Sequence, residues 1–270
     1  MLDIEIFKSE RNNQWLIHQF EAYRFKGDFM TDKFLPRPYI SLVFHFKDTP
    51  LIAENPLLPL QAYFVGPIIP RAMLLHFRGN MDTFTVTCKA SVFSRLFELD
   101  FSPVLKKSIE LPKVIFHPLW LNLAKINTTE ERTIYFTYFI QSIQLTPYVP
   151  DAVDILYDKI LEKSITHPLK DIMQECFASK STLLRKFIKR TGVSPKTLAR
   201  IVRFNYLWIK IREEQALDYQ DLVFHGNYFD QSHFINDFKA IVGETPGCFF
   251  KRNLTIVKIF SGGTSGKKIN

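Results

Sequence analysis

A chain of 270 residues that is 46% hydrophobic and 23% charged is long enough for two domains, each with a core of its own, and too apolar to be disordered. Its formal net charge of +8 favours a polyanionic partner, although charge alone fits RNA or a membrane surface as well as DNA. There is no basic or apolar leader and no apolar run of about eighteen residues. Cys88, Cys176 and Cys248 lie far apart and form no Cys-x-x-Cys pair. The expectation is a chain that is neither secreted nor membrane-spanning and that suits the reduced cytoplasm.

The first hundred residues alternate apolar and polar side chains with the period of a strand. Ile40, Leu42, Phe44 and Phe46 alternate with Ser41, Val43 and His45, and Phe84, Val86 and Cys88 with Thr85 and Thr87. Tyr63-Phe64-Val65 ends at the turn signal Gly66-Pro67, so a small sheet or barrel is expected. After Pro112 the texture becomes helical. Thr128 and Glu131 have capping-box spacing ahead of an aromatic stripe, Tyr135, Phe136, Tyr138 and Phe139, read as core against the sheet in preference to a dimer seam. Pro147-Tyr148-Val149-Pro150 reads as a stiff linker. Beyond it Asp151 opens an amphipathic helix with Val153, Leu156, Tyr157, Ile160 and Leu161 on one face. The Gly- and Ser-rich stretch from Ser261 reads as part of a flexible tail.

The sharpest signal is a repeat. Phe187-x-x-x-x-Gly192-x-Ser194-Pro195 returns as Phe238-x-x-x-x-Gly243-x-Thr245-Pro246, with Ser179 matching Asp230 and Leu183 matching Phe234. Ser179 and Asp230 have the chemistry of helix N-caps, and Leu183/Phe187 and Phe234/Phe238 are i, i+4 anchors. Gly192 and Gly243 suit left-handed helix stops, and each Ser/Thr-Pro pair starts a further helix. Short helices over Leu169–Cys176 and Tyr219–Gly226 would complete two helix-turn-helix units. A long helix from Pro195 to about Glu214 would join them, with Leu198, Ile201, Val202, Trp208 and Ile209 facing the core. Such a rod presents two recognition helices to successive major grooves. Between Ser179 and Arg212 lie ten basic residues and no acidic one, so the exposed face of the first unit is also the most basic part of the chain.

The stretch Asn227-Tyr228-Phe229-Asp230-Gln231-Ser232-His233-Phe234-Ile235-Asn236-Asp237-Phe238-Lys239, followed by Gly243-x-Thr245-Pro246, resembles the signature of the AraC/XylS transcription regulators. The likeness covers about a hundred residues, roughly 151–253, and the first unit, Ser179 to Pro195, fits the same pattern. It implies that the first turns of the two recognition helices touch base edges, through Lys180, Ser181, Thr182 and Arg185, then Gln231, Ser232, His233 and Asn236. Arg185 can pair two-pronged with guanine, and Gln231 or Asn236 with adenine. His233 is equally readable as a capping or structural residue. Lys186, Lys189, Lys196 and Thr197 are placed for phosphates, which set register without reading sequence.

Three positions depart from the family pattern. Asn227 stands where a glycine is usual but tolerates the same turn. Leu184 replaces a polar reader, and Asn236-Asp237 replaces a frequent arginine, which would set an acid near DNA and weaken the second helix. The N-terminal region is similar to effector domains joined to such readers in Bacteroidetes-type bacteria, through Tyr63 to Pro67 and the Phe84 to Leu99 segment.

The expected fold is therefore α+β. A β-rich effector or sensor domain spans 1–112, a helical coupling region and linker 113–150, an all-α double helix-turn-helix domain 151–253 and a flexible basic tail 254–270. The expected function is that of a sequence-specific DNA-binding transcription regulator modulated at its N-terminal domain. Double-stranded DNA is the expected partner; RNA polymerase, a small-molecule effector and a second copy of the chain stay open, and no cofactor, metal or membrane is called for. The rivals are a protein that coats nucleic acid without sequence preference and an enzyme with a DNA-binding appendage. Against the enzyme, His18, His45 and His76 are isolated, and the chain lacks Gly-x-Ser-x-Gly, a phosphate-cradling glycine loop and His-Glu-x-x-His.

Overall fold

The computed structural model describes residues 2–102, 108–143, 147–175, 180–213 and 219–250. The cap Ser179, Cys176, the end of the long helix near Glu214 and the tail over 254–270 lie outside the described residues, as does the side chain of Lys180.

The N-terminal half is an antiparallel sheet of seven strands: β1 (Leu2–Lys8), β2 (Ile17–Phe34), β3 (Ile40–His45), β4 (Leu51–Ile52), β5 (Asn55–Pro59), β6 (Tyr63–Gly66) and β7 (Met73–Cys88). The main order is β1-β2-β7-β3-β6, with β4 bridging β5 and β7. The long strands β2 and β7 form its spine, paired from Ile17↔Cys88 to Phe34↔Met73 with irregularities at Ile17/Gln19 and Gly27/Met30.

The period-two alternation divides the strands between two interiors instead of between core and solvent. Ile40, Leu42 and Phe44 of β3 and Phe84, Val86 and Cys88 of β7 belong to the large apolar core. Their neighbours Ser41, His45, Thr83 and Thr85 are also buried, and they line a cavity on the other face of the sheet.

Helices α1 (Ala90–Leu96), α2 (Lys113–Lys125) and α3 (Thr129–Ile143) follow. Half of the expected capping box forms, the Thr128 hydroxyl accepting from the Glu131 amide at 3.3 Å, and the same hydroxyl donates to the Glu131 carboxylate at 2.7 Å. Arg132, 2% exposed, anchors α3 by a two-pronged pair with Asp82 at 2.9 Å and by donating from Nε to the Leu123 and Ile126 carbonyls. The aromatic stripe splits: Phe136 is buried in the core and Phe139 packs against it, but Tyr135 and Tyr138 are exposed. Four aromatics within five residues span more of a helix circumference than one sheet contact covers.

The C-terminal half is helical: α4 (Ala152–Lys163), α5 (Leu169–Gln174), α6 (Lys180–Thr191), α7 (Pro195–Glu213), α8 (Tyr219–His225), α9 (Gln231–Val242) and α10 (Pro246–Phe250). Asp151 caps α4 and completes a capping box with Asp154. Of the residues expected on the inner face of α7, Leu198, Ile201, Val202 and Trp208 are buried, whereas Ile209 is 39% exposed. It follows Trp208 by one helical step of about 100° and turns out past the core.

The cores do not divide at residue 150. The large cluster runs from Leu16 through the sheet and α1–α3 to Val153, Tyr157, Ile172, Leu183, Phe187 and Leu198. A separate cluster holds the rest: Phe204, Leu207, Trp208, Leu222, Tyr228, Phe234, Phe238 and Phe249, joined from the sheet by Leu35. The segment 147–150 is coil but is packed, with Tyr148 stacked on Trp15 at 5.0 Å and under the Arg95 guanidinium.

Candidate nucleic-acid interface and interior cavity

Helices α5/α6 and α8/α9 stand as the repeat requires. Gly192 and Gly243 end α6 and α9 with φ of +77° and +87°, a conformation that a side chain disfavours. Asp230 caps α9 by accepting from the His233 amide at 2.7 Å. Asn227 takes the left-handed conformation, φ +50°, as expected where a glycine is usual. Leu183, Phe187, Phe234 and Phe238 are buried, which turns the opposite face of each helix outward.

On α6 that face carries Ser181, Thr182, Arg185, Lys186 and Lys189, all exposed. On α9 it carries Gln231, Ser232, His233 and Asn236, all exposed. The His233 ring also meets Tyr228 edge-on at 5.1 Å, so it has a structural contact while remaining open to solvent. Lys196 is exposed at the start of α7. The Thr197 hydroxyl is engaged with Ser194 Oγ at 2.9 Å, in the cap that starts the helix, so its first role is structural.

Part of the basic block is internal. Arg190 is paired with Asp151 at 2.6 Å and with Asp154, and donates to the Ser91 carbonyl. Arg200 pairs with Asp237, and Arg203 lies over the Tyr228 ring at 5.0 Å. These three residues hold the fold together, which the sequence count of ten cations did not reveal. The acid expected near DNA is likewise turned inward. Asp237 is 8% exposed and accepts from Arg200 Nε at 2.6 Å and the Tyr228 hydroxyl at 2.9 Å. It lies three positions beyond the buried Phe234, on the same helical face. Burial, then the Asp237 carboxylate, pushes the Tyr228 hydroxyl up from its ordinary pKa.

Helices α6 and α9 are both held at their C-terminal ends by the N-terminal half. For α6, Phe101 N donates to the Lys189 carbonyl at 2.8 Å. For α9, Ala72 N donates to the Ile241 carbonyl at 2.7 Å, and Lys33 Nζ donates to the Val242 carbonyl at 3.0 Å and pairs with Glu244. Asn205 of α7 donates to the Pro36 carbonyl at 2.7 Å. The contacts of Phe101, Ala72 and Lys33 satisfy helix-end carbonyls and set cationic or N–H groups at the negative ends of the helix dipoles.

The second feature is the cavity, of about 100 Å³, lined by β2, β3, β6, β7 and the segments that join the strands. Its wall is mostly apolar, with Phe34, Phe64, Leu75, Phe77 and Met81. The hydroxyl side chains Ser41, Thr83 and Thr85 interrupt it, together with two larger polar side chains, Arg37 and His45. Arg37, 7% exposed, reaches both carboxylate oxygens of Glu21, which also accepts from Tyr23 and Gln19. Burial works against both charges of this pair, but each is outweighed by the other: Arg37 is raised and Glu21 lowered, so both stay ionised. His45, 3% exposed, holds Thr83 Oγ1 through Nδ1 at 2.8 Å, and burial lowers its pKa to about 4. His18 and His76, named with it as isolated histidines, each have another partner: His18 stacks on Tyr39 and His76 bonds Thr31. Among the described residues no group of three His, Cys, Asp or Glu side chains could hold a metal ion.

Of the polar cavity residues, Ser41, His45 and Thr85 were in view as alternating positions of the strands, and Thr83 continues the second alternation. Their signal was chemical: Ser41, His45, Thr83 and Thr85 are uncharged at neutral pH, whereas the open face of a sheet ordinarily carries Lys and Glu. Arg37, between two prolines, and Lys33 gave no sequence signal.

Residues 172–252 match the family model described as a helix-turn-helix domain. The chain matches no curated protein sequence. Among solved structures it is similar to ToxT from Vibrio cholerae, at 14% identity over 86% of this chain and 97% of that one, TM-score 0.46. It is also similar to ToxT from Vibrio cholerae O395 bound to (E)-4-(8-methylnaphthalen-1-yl)but-3-enoic acid, at 12% identity over 93% of this chain and 98% of that one, TM-score 0.46. Among the described residues no helix is long and apolar enough to cross a membrane.

Proposed function

We propose, from the premise that residues 172–252 form a helix-turn-helix domain of the AraC type, that the protein is a transcription regulator that reads specific DNA with two recognition helices. The observation that carries this is the matched pair of exposed polar faces, Ser181/Thr182/Arg185 on α6 and Gln231/Ser232/His233/Asn236 on α9. Each stands on the first turns of a helix whose opposite face is locked in a core. Arg185 offers a two-pronged donor for guanine, and Gln231 and Asn236 the donor and acceptor pair that adenine requires. Lys186, Lys189 and Lys196 meet phosphates and fix register. A protein that only coats DNA has no use for the neutral, hydrogen-bonding face of α9; Lys and Arg would serve it better.

The cavity is the effector site in this reading, and its wall is also the support of the second unit. Along the end of β2 and the segment after it, Phe34 and Arg37 line the cavity, while Lys33, Leu35 and Pro36 touch α7, α9 or their core. Across the strand pair Met73 lines the cavity and Ala72 bonds α9. A molecule that binds one arrangement of this wall better than another biases how the second unit is held, by as much as its affinities differ.

Retention of genomic fragments by the full-length protein at moderate salt, followed by sequencing, tests the reading. The expected outcome is a shared motif spanning two successive major grooves, roughly one helical turn centre to centre. Arg185→Ala is expected to relax preference at one position of that motif, at a cost of about 1–3 kcal/mol, whereas Lys186→Ala weakens binding to all sequences alike. Equal losses on specific and random DNA for both variants would overturn these roles, and retention without any motif would favour the coating protein.

A further inference from the structure

Phe229 stands in the turn between α8 and α9, directly before the cap Asp230. At 93% exposure it is the most open of the large apolar side chains among the described residues. One exposed ring on a protein surface is ordinary and calls for no partner. Its position is what singles it out. The residue before a helix cap often folds back as a hydrophobic staple onto the fourth residue of the helix, which here is Phe234. That contact is already made by Tyr228, buried and edge-on to Phe234 at 5.5 Å, so Phe229 adds nothing to the core.

The repeat makes the same point from sequence. At the offset that aligns Ser179 with Asp230, Phe177 matches Tyr228 and Ala178 matches Phe229. Both units carry an aromatic at the first of these positions and only the second unit carries one at the next, so the helix-turn-helix framework does not require it.

The backbone around the ring is fixed on both sides. Asn227 holds the left-handed turn at φ +50°, Tyr228 is anchored by its hydroxyl on Asp237 at 2.9 Å, and Asp230 caps α9. Two residues of chain span at most about 7 Å, so the ring is carried at the same end of α9 as the exposed Gln231, Ser232 and His233. In the function proposed above, that end enters the major groove. The groove presents hydrogen-bonding atoms at every base pair and one apolar group, the 5-methyl of thymine. A rigidly held ring beside hydrogen-bonding readers has that methyl as its counterpart, because the contact removes apolar surface from water and leaves no polar group unpaired.

We infer that Phe229 is a further base-reading residue, which packs on a thymine 5-methyl group beside the bases read by Gln231 and Ser232. This rests on the reading of α9 as a recognition helix. The ring favours thymine over cytosine, which lacks the methyl and presents an amino group that the ring would strip of water without replacing it.

The test uses the full-length protein and the motif recovered from genomic fragments, with each thymine replaced in turn by deoxyuridine, which pairs identically and lacks only the methyl. At one thymine in the half-site of the second unit, the replacement is expected to weaken wild-type binding about fourfold, the worth of one methyl group removed from water. Phe229→Ala is expected to weaken the unmodified site by at least as much and to be indifferent to deoxyuridine at that position. Its unfolding midpoint should be unchanged, since the ring is open to solvent. Phe224→Ala, which removes a ring 82% exposed on α8, is the control and should keep the wild-type response. If Phe229→Ala binds the motif as tightly as wild type, or keeps the same sensitivity at every thymine, the assignment is overturned and the ring is left for a protein partner. Loss of the response in Phe224→Ala as well would overturn it too, by tracing the effect to general apolar adhesion. Retention of fragments without any motif would instead remove the reading of α9 itself, so the two failures are distinguishable.

Discussion

Helix α6, of the first helix-turn-helix unit, shares its core with the sheet, Leu183 and Phe187 lying in one apolar cluster with Phe20, Phe44 and Phe84. The second sits in a cluster of its own, entered from the sheet by Leu35, with Ala72 packed at its edge. The polar contacts divide the same way. At the first unit Asp154, fully buried, gathers Ser91, Arg95 and Arg190. At the second, among the described residues, the Lys33–Glu244 pair is about one-fifth exposed and stands beside hydrogen bonds to backbone carbonyls from Lys33, Ala72 and Asn205. One reader is therefore built into the N-terminal half and the other is fastened to it. A ligand worth a few kcal/mol can shift a fastening, but not a continuous core.

Asp154→Ala strikes the first attachment hardest. It leaves Arg190, whose side chain is 12% exposed, without its buried partner, and breaking such a pair costs about 3–5 kcal/mol. Urea unfolding is expected to show that loss in one cooperative transition, since the core is shared. A separate early transition confined to residues beyond 150 would contradict the shared core.

Gly192→Ala and Gly243→Ala compare the two units at equivalent positions. Each puts a side chain on left-handed backbone, at about 1–2 kcal/mol. A Cβ at Gly192 would also lie 2.9 Å from the Phe101 carbonyl oxygen, whereas at Gly243 the nearest atom is Lys33 Nζ at 4.0 Å. Unfolding free energies should therefore fall by about 3 kcal/mol for Gly192→Ala, overpacking included, and by the backbone term alone for Gly243→Ala. Equal losses would mean that α6 does not press on the Phe101 loop.

Lys33→Met has the smallest effect on global stability, below about 1 kcal/mol for a partly exposed pair. Its effect should be local: faster amide exchange in α9 with no change in α6, because local opening follows the weakest attachment. Equal acceleration in both helices would remove the distinction between them.

Much of the reader was legible in the sequence because its determinants are local. A glycine at a left-handed stop, an aspartate cap and an i, i+4 apolar pair each act within a few residues, so the repeat placed Gly192, Gly243, Asp230 and the two exposed faces before any packing was known. The alternation that marks β3 and β7 was equally legible, as was the α+β order. Tertiary structure alone decided what those faces meet. It turned Asp237 and Arg190 inward, left Ile209 and Tyr138 outside, and placed the polar positions of β3 and β7 around a cavity. It also joined the first unit, but not the second, to the core of the sheet. Each of those outcomes depends on partners far away in sequence, as Asp154 and Arg190 or Lys33 and Glu244 show, and spacing along the chain carries no record of which distant surfaces come together.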